Sequence, residues 1–536
     1  MKWPRWLILL CVVAAVLVGA VSVARRKAAF VIGECVTVGR LPRIRPDYAD
    51  VVIPPNIAPL NFLVQEPGSH YRVRMSSARG KPIDIPSLSP VVVIPPGPWR
   101  DLLAANRGEE LRWDVWVQKP EGRWHRFDTI TNTIAPDDID GYLVYRLMRP
   151  LYNLYRDVGV YQRNLANYDE SVVLHGKSFS EGCVNCHSFW QHRTQRMTLG
   201  VRSPDYGNVA LIVQDGEVTK VDAMFGQTSW HPSGRLVAYS VYKVRQFFHS
   251  GGAEVRDVLD LDSDLLYYEV GSETVKTAPG IAHPDKLETY PSWSADGRYL
   301  YFASAPILWE DRNTVPPERY AEVRYDLMRI PYDLATDTWG EPETVLSSDA
   351  TGLSIVQPRA SPDGRFLLFC MCEYSCFPLF KASGDVYLME LETGEYRRLE
   401  CNSDRSESWP SWSSNSRWIV FTSKRRDGIF VRPYMSYLDE TGKVHKAVLL
   451  PQKDPLFYDS FLKGYTLPEL ITEPVQVSAR GLAKAVRSPD KLTVELPPTS
   501  MTPKGQEVPP WRSSTSENEW NNLTGGAGAP DRDTDE

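Results

Sequence analysis

A short segment recurs four times in the middle of this chain, and it limits the possible folds more than any other feature. Trp230-His-Pro-Ser-Gly-Arg235, Trp293-Ser-Ala-Asp-Gly-Arg298, Ala360-Ser-Pro-Asp-Gly-Arg365 and Trp412-Ser-Ser-Asn-Ser-Arg417 align, and each runs into an apolar stretch. The four arginines are 63, 67 and 52 residues apart. Asp-Gly supplies the positive φ of a tight turn, and the apolar run after it reads as a buried strand. In the fourth copy Asn415 is the residue expected to take the left-handed conformation. Further strand patterns follow at Asp264, Asp326 and Asp385, and the last continues through the hairpin Glu392–Leu399. A four-stranded unit at this period is a propeller blade. A degenerate copy at Tyr206–Ala223 and strands at Ile429–Leu450 bring the expectation to five or six blades over residues 201–475.

Composition agrees with a β-rich globular chain. Hydrophobic residues make up 42% and charged residues 24%, which excludes a disordered chain, a coiled coil and a polytopic membrane protein. Lys+Arg is 60 against Asp+Glu at 67, a net charge of −7, so no surface suited to tracking a phosphate backbone is expected and nucleic acid is excluded as a partner. Pro (42), Trp (16) and Tyr (26) supply turns and strand-forming aromatics.

Residues Trp6 to Val23 are almost wholly apolar, with Lys2 and Arg5 before them and Arg25, Arg26 and Lys27 after. A run of about 18 apolar residues is at the lower edge of a membrane-spanning helix. The cations beyond it suit a retained anchor over residues 1–30 better than cleavage after Ala24. Either way the body is exported, and an anchored body would face the periplasm.

Three further regions are read from pattern. Residues 31–135 form a small β-rich, sandwich-like domain of immunoglobulin type, with Leu111–Val117 alternating as a half-buried strand does. Residues 136–200 read as helical, because Leu143, Leu147, Leu151 and Leu154 recur at three- and four-residue steps and Pro150 divides the run. Residues 476–536 are rich in Pro, Ser, Thr, Gly and charge and are expected to be a disordered tail.

The chemistry is carried by Cys183-Val-Asn-Cys186-His187. In c-type haem attachment two thiols two residues apart add across the porphyrin vinyl groups at the start of a helix, and the following His ligates the iron. A thioredoxin-like dithiol needs a βαβ setting, a zinc site needs further ligands of which His192 is the nearest, and a disulfide over so short a loop is strained. One covalent haem c on Cys183, Cys186 and His187 is therefore the expectation. Met197, ten residues on, is the candidate sixth ligand, with His175, His192, Met224, His231 and His249 as alternatives. One motif means one haem and one electron at a time.

Other clusters are read more plainly. Cys370, Cys372, Cys376 and Cys401 suggest a disulfide such as Cys376 with Cys401 in an oxidising compartment. Asp257, Asp260, Asp262 and Asp264 read as a solvated blade edge, and His231 as a turn residue. No hydrolytic nucleophile–base arrangement and no phosphate-cradling loop are present.

The repeated Trp-Ser-x-Asp-Gly-Arg segment resembles the propellers of TolB-like proteins. Pro54–Phe62, the Cys183–His187 motif followed by Ser-Phe, Ser406–Trp418 and Leu450–Asp459 are together similar to exported bacterial TolB-like propeller proteins bearing a c-type haem motif, over about residues 48–475. The resemblance implies that architecture, and a haem on Cys183, Cys186 and His187; it implies no substrate. The resulting expectation is a membrane-anchored, periplasm-facing monohaem cytochrome passing single electrons to or from a docked redox or envelope protein. A haem-dependent oxidoreductase with substrate at the propeller mouth, and a non-redox envelope scaffold, are the alternatives.

Overall fold

The structure is a computed structural model that describes residues 32–149, 157–249 and 256–497, and these are mainly β. The apolar run Trp6–Val23 lies outside the described residues. Among the described residues no helix is long and apolar enough to cross a membrane. The chain divides into two compact units, Met1–Asp138 with Pro451–Ser460, and Ile139–Leu450 with Phe461–Glu536.

The first unit holds a seven-stranded sheet and a three-stranded sheet. The strand Glu110–Gln118 alternates in burial as its sequence does, and pairs with His70–Ser76 on one edge and with Trp124–Arg126 and Ile130–Ile134 on the other. Phe62, from the smaller sheet, stacks on Trp113 of the larger at 5.1 Å. The helix Pro96–Ala105 starts after Pro95 and buries Trp99, Leu102 and Leu103 against this core. Its first-turn prolines have no N–H to leave unpaired, which suits that position. Glu66 is buried and accepts from Arg40 at 2.7 and 2.9 Å. That guanidinium is the main cause holding the Glu66 carboxyl down to about 2.

The second unit is six antiparallel sheets in succession. Five begin with Cys183–Trp190, Thr228–Trp230, Lys286–Trp293, Ser354–Ala360 and Glu407–Trp412; four of these are simple four-stranded meanders, and the one opening with Lys286–Trp293 carries Glu343–Leu346 as a fifth strand on Asp326–Asp333. The remaining sheet joins Tyr142–Met148, Gly159–Asn164 and Glu170–His175 to the late strand Gly464–Ile471, which pairs with Tyr142–Met148. The five opening strands and Gly464–Ile471 touch one another in sequence, and Gly464–Ile471 touches Cys183–Trp190 in turn.

The recurring segment does the work expected of it. In three copies a serine hydroxyl (Ser294, Ser361, Ser413) donates to the side chain two residues on (Asp296, Asp363, Asn415) at 2.6 Å, and accepts the N–H of the residue opening the next strand. Gly234, Gly297 and Gly364 take φ of 69°, 73° and 73°. In the fourth copy Ser416, not Asn415, takes the positive φ, because Ser416 stands where the other copies have glycine, while Asn415 is held by Ser413 and the Arg417 N–H as the aspartates are. His231 fills the turn as expected, with Nδ1 2.8 Å from Ser233 Oγ.

Several expectations need correction. Residues 136–200 are not helical: the described part forms three strands of one sheet and the first strands of the next. Leu143 and Leu147 are four residues apart, a step that satisfies both the helical period and the two-residue period of a strand, so their spacing could not decide. Pro150, Leu151 and Leu154 lie outside the described residues. The six-sheet unit therefore begins near Ile139 rather than at 201. The tail is ordered through its first part: the helix Ala479–Arg487, capped by Ser478, packs Leu482, Ala483 and Val486 into the core, and Leu492 and Glu495 bridge to Val221 and Thr274. The acidic run is buried, since the strand Arg256–Glu269 is covered along almost its whole length. Lys381 and Tyr374 donate to Asp257 at 2.5 and 2.7 Å, and Arg312 pairs with Asp262 at 2.7 Å. The described cysteines are all free thiols: Cys376 sits beside Tyr325 and Asp260, and Cys401 beside Ser436 and Arg425.

Candidate functional site

The motif lies on the buried strand Cys183–Trp190. Sequence expectation placed it at the start of a helix; the pairing of this strand with Arg193–Ser203 excludes that. Gly182 leads into the strand because a Cβ there would come within 2.3 Å of the Phe179 ring and 2.8 Å of the Arg202 carbonyl oxygen. The strand is not regular. Val184 faces Val201 and His187 faces Leu199, so Asn185 and Cys186 together oppose the single residue Gly200. In a regular strand Cys183 and Cys186, three apart, would face opposite ways. The extra residue of the bulge resets that alternation. Both thiols consequently line one cavity of about 150 Å³.

That cavity has apolar walls from Val158, Val244, Val258, Phe377, Leu379 and Phe380, and three arginines, Arg146, Arg202 and Arg256. Arg146 donates to Asn185 at 2.9 Å, and Asn185 and Arg202 both donate to the Tyr242 hydroxyl, at 3.0 and 3.2 Å. Burial pushes both thiols up, against the opposing pull of Arg146 and Arg202, so they are protonated at neutral pH. A redox-active dithiol has the reverse shift. Cys186 Sγ is 3.4 Å from Gln227 Oε1.

His187 turns away from this cavity. Its side chain is wholly buried, in edge contact with Phe189 at 6.0 Å, and lies between its own strand and Gly464–Ile471. Neither ring nitrogen makes a hydrogen bond of ordinary geometry; the nearest polar groups are the Leu467 backbone and the Glu469 carboxyl, 3.9 Å from Nε2. Burial first, and then Arg146 and Arg359, hold its basicity down to about 3, so the imidazole is neutral. Met197 is fully buried in the core opposite Phe189, among Val144, Val160 and Leu199, and is not in the wall of the thiol cavity. The thioether that does line that cavity is Met148, which sequence reasoning did not single out because its segment read as a helix. Of the alternatives, His192 is bonded through Nδ1 to the Leu470 carbonyl at 2.9 Å, and His175 accepts the Lys177 N–H at 3.1 Å. Among the described residues no group of three metal-ligating side chains comes together.

A second arrangement emerges only from the register. In four opening or closing strands a bulge falls on a residue followed by proline: Tyr290-Pro291, Gln357-Pro358, Trp409-Pro410 and Leu467-Pro468. The first residue of each pair has a positive φ, between 53° and 57°. The position just after these bulges is Ser292, Arg359, Ser411 and Glu469, and in the motif strand it is His187. Ser229 is the sixth, since its hydroxyl accepts the Trp293 N–H at 3.1 Å as Ser292 accepts the Ala360 N–H at 3.1 Å. In the order in which the strands touch, the six positions are His187, Ser229, Ser292, Arg359, Ser411 and Glu469, three serines with an imidazole, a guanidinium and a carboxyl. Burial raises the Glu469 carboxyl to about 7, while Arg359 and the Phe189 N–H oppose that rise. Aligning the chain on its x-Pro pairs would have put Ser292, Arg359, Ser411 and Glu469 in one column.

On the far side of this ring is a cavity of about 500 Å³, lined by Arg359 and Glu469 with serines and the indoles of Trp230, Trp293 and Trp412.

No family model matches the chain, and no curated protein matches it in sequence. Solved structures are similar in part. A puromycin-hydrolysing peptidase of Mycobacterium tuberculosis is 15% identical with a TM-score of 0.32, over 49% of this chain and 38% of that one. The GH74 enzyme of Niastella koreensis is 11% identical at 0.36, over 58% and 46%. An ACO/RPE65 chimera is 9% identical at 0.35, over 82% and 98%. The chain spans less than half the length of the first two. At these scores the likenesses carry no statement about what this chain does.

Proposed function

We propose that the chain is a monohaem c-type cytochrome of the cell envelope, built on a six-bladed TolB-like propeller, that exchanges single electrons with a docked protein partner. The propeller reading is supported by the successive contacts of the opening strands and by the late strand Gly464–Ile471 completing the sheet begun at Tyr142. The same architecture, with the apolar run Trp6–Val23 as membrane anchor, would face the periplasm.

One observation carries the haem reading: Cys183 and Cys186 are buried, free and protonated in one apolar-walled cavity, and the next residue is a neutral, buried histidine whose ring nitrogens make no hydrogen bond of ordinary geometry. Leaving such an imidazole unpaired costs about 1–3 kcal/mol, which iron ligation would offset. The donor types suit the group: Cys183 and Cys186 would hold it by thioether bonds, Arg146, Arg202 and Arg256 line the cavity that would receive its carboxylates, and His187, which faces away from that cavity, would have to turn toward it to ligate the iron. The bound haem would supply one-electron redox chemistry. At about 150 Å³ the cavity is below the ~300–1,000 Å³ of preformed ligand pockets, so attachment requires the cavity to widen. Of the two thioethers weighed, Met148 lines the cavity and Met197 does not.

A second reading, an oxidoreductase with substrate at the propeller mouth, is favoured by the roughly 500 Å³ polar cavity beyond His187 and Glu469. Both readings are tested by carbon monoxide binding to the reduced protein after c-type maturation. A spectrum indifferent to carbon monoxide indicates a six-coordinate electron carrier, a shifted one an open iron site, and absence of covalent haem rejects both.

A further inference from the structure

Arg359 is out of place in its ring. Three of the six equivalent positions are serine, and two of these, Ser229 and Ser292, tie their strand to the next by accepting a backbone N–H. Arg359 forgoes that role. Its guanidinium is half-buried and borders three cavities on the axis. Among the described residues it makes no ion pair and no side-chain hydrogen bond; Glu469 acts on it from beyond ion-pair distance. An arginine held this way offers five N–H donors in a fixed fork.

The cavity it faces has a volume of about 500 Å³, well beyond the needs of a single inorganic ion and within the range of small-molecule sites. Ser411 brings a hydroxyl to its wall, Glu469 a carboxyl that burial raises to about 7, and Trp230, Trp293 and Trp412 bring indole surface; the hydroxyls of Ser188 and Ser294, also on the wall, are engaged with Thr198 and Thr228 and with Asp296. A guanidinium fork matches a carboxylate in two parallel bonds, hydroxyls match hydroxyls, and indoles cover the apolar face of a ring.

We infer that this cavity binds a small hydroxylated carboxylic acid of the sugar-acid class, its carboxylate held by Arg359. The site is built without Cys183 and Cys186 and stands whether or not haem is attached there.

The test is calorimetric titration of the full chain with D-glucuronate, with neutral D-glucose as the control for charge. Arg359→Ser is the informative variant, because serine is the residue that Ser229, Ser292 and Ser411 already supply at this position, and its unliganded melting curve checks the fold. Glucuronate is expected to bind, glucose at least about tenfold more weakly, and Arg359→Ser to weaken glucuronate by about tenfold or more while leaving glucose unchanged. Arg359→Lys keeps the charge without the fork and is expected to fall between. The Cys183→Ser/Cys186→Ser chain, which has no haem iron for an anion to ligate, is expected to bind glucuronate as the parent does. No heat with glucuronate, equal affinity for glucose, an unaffected Arg359→Ser chain, or loss of binding in the thiol-free chain would each overturn the inference.

Discussion

His187 Nε2 stands 3.9 Å from Glu469 Oε2, across the contact between the strand that opens the motif sheet and the strand that arrives last in the chain. Separated by 282 positions in sequence, the two occupy equivalent places after a bulge in their strands. With the imidazole neutral and the carboxyl raised to about 7, this contact is not an ion pair of full charges at neutral pH. The two side chains border one small cavity, and Glu469 also lines the larger cavity of about 500 Å³.

The bulge that brings Cys186 round to Cys183 depends on Gly200. A Cβ at Gly200 would sit 2.8 Å from the Phe225 carbonyl oxygen and 3.5 Å from Asn185 Cβ. Gly200→Ala is therefore expected to destabilise the second unit by about 1–3 kcal/mol. It should also lower the yield of covalent haem per chain, read from denaturation midpoints and haem-stained gels of the same preparation. An alanine chain with parental stability and haem content would mean that the backbone gives way there without moving the thiols.

Glu288 sets a pH dependence. Burial, with Asp264 adding to it, raises its carboxyl to about 8 from the usual 4.5. Between those values the folded chain keeps the proton and the unfolded chain has lost it, so stability falls as pH rises from about 4.5 to about 8 and then levels. One such group contributes at most ~1.4 kcal/mol per pH unit. Glu288→Gln, which cannot ionise, is expected to be more stable than the parent at pH 8 and to lose that advantage near pH 5, as measured by urea midpoints across the range.

The buried pair of Asp257 and Lys381 gives a prediction of opposite sign. Their side chains are 1% and 3% exposed, and the Lys381 ammonium also lies 3.5 Å over the Tyr374 ring. Asp257→Asn strands that ammonium and is expected to cost about 3–5 kcal/mol. Asp257→Asn/Lys381→Met, which removes both charges, should recover much of the loss in equilibrium unfolding.

Legibility in the sequence followed the range of the interactions. The Ser-x-Asp-Gly-Arg turns are closed by serine hydrogen bonds to residues two and five positions on, so they are locally determined and their strands could be read directly. The first sheet could not be read, because Tyr142–Met148 finds its partner at Gly464–Ile471, and the evenly spaced Leu143 and Leu147 satisfy two periodicities at once. The acidic strand looked solvated because the cations that meet it, Lys381 and Arg312, come from distant loops. The motif residues Cys183, Cys186 and His187 were visible from spacing alone. The roles of Arg359 and Glu469 needed the bulges, and Met148 needed a strand where a helix was expected.

The most direct test of the central claim is whether haem stays with the chain after denaturation. The full chain, matured with c-type haem machinery, is run on a denaturing gel, stained for haem, and its reduced pyridine adduct recorded. Haem is expected to stay with the parent chain and to be lost from Cys183→Ser/Cys186→Ser. A parent chain without covalent haem, beside a control cytochrome matured in the same cells that carries it, would contradict the account and leave the thiol pair with a role other than haem attachment.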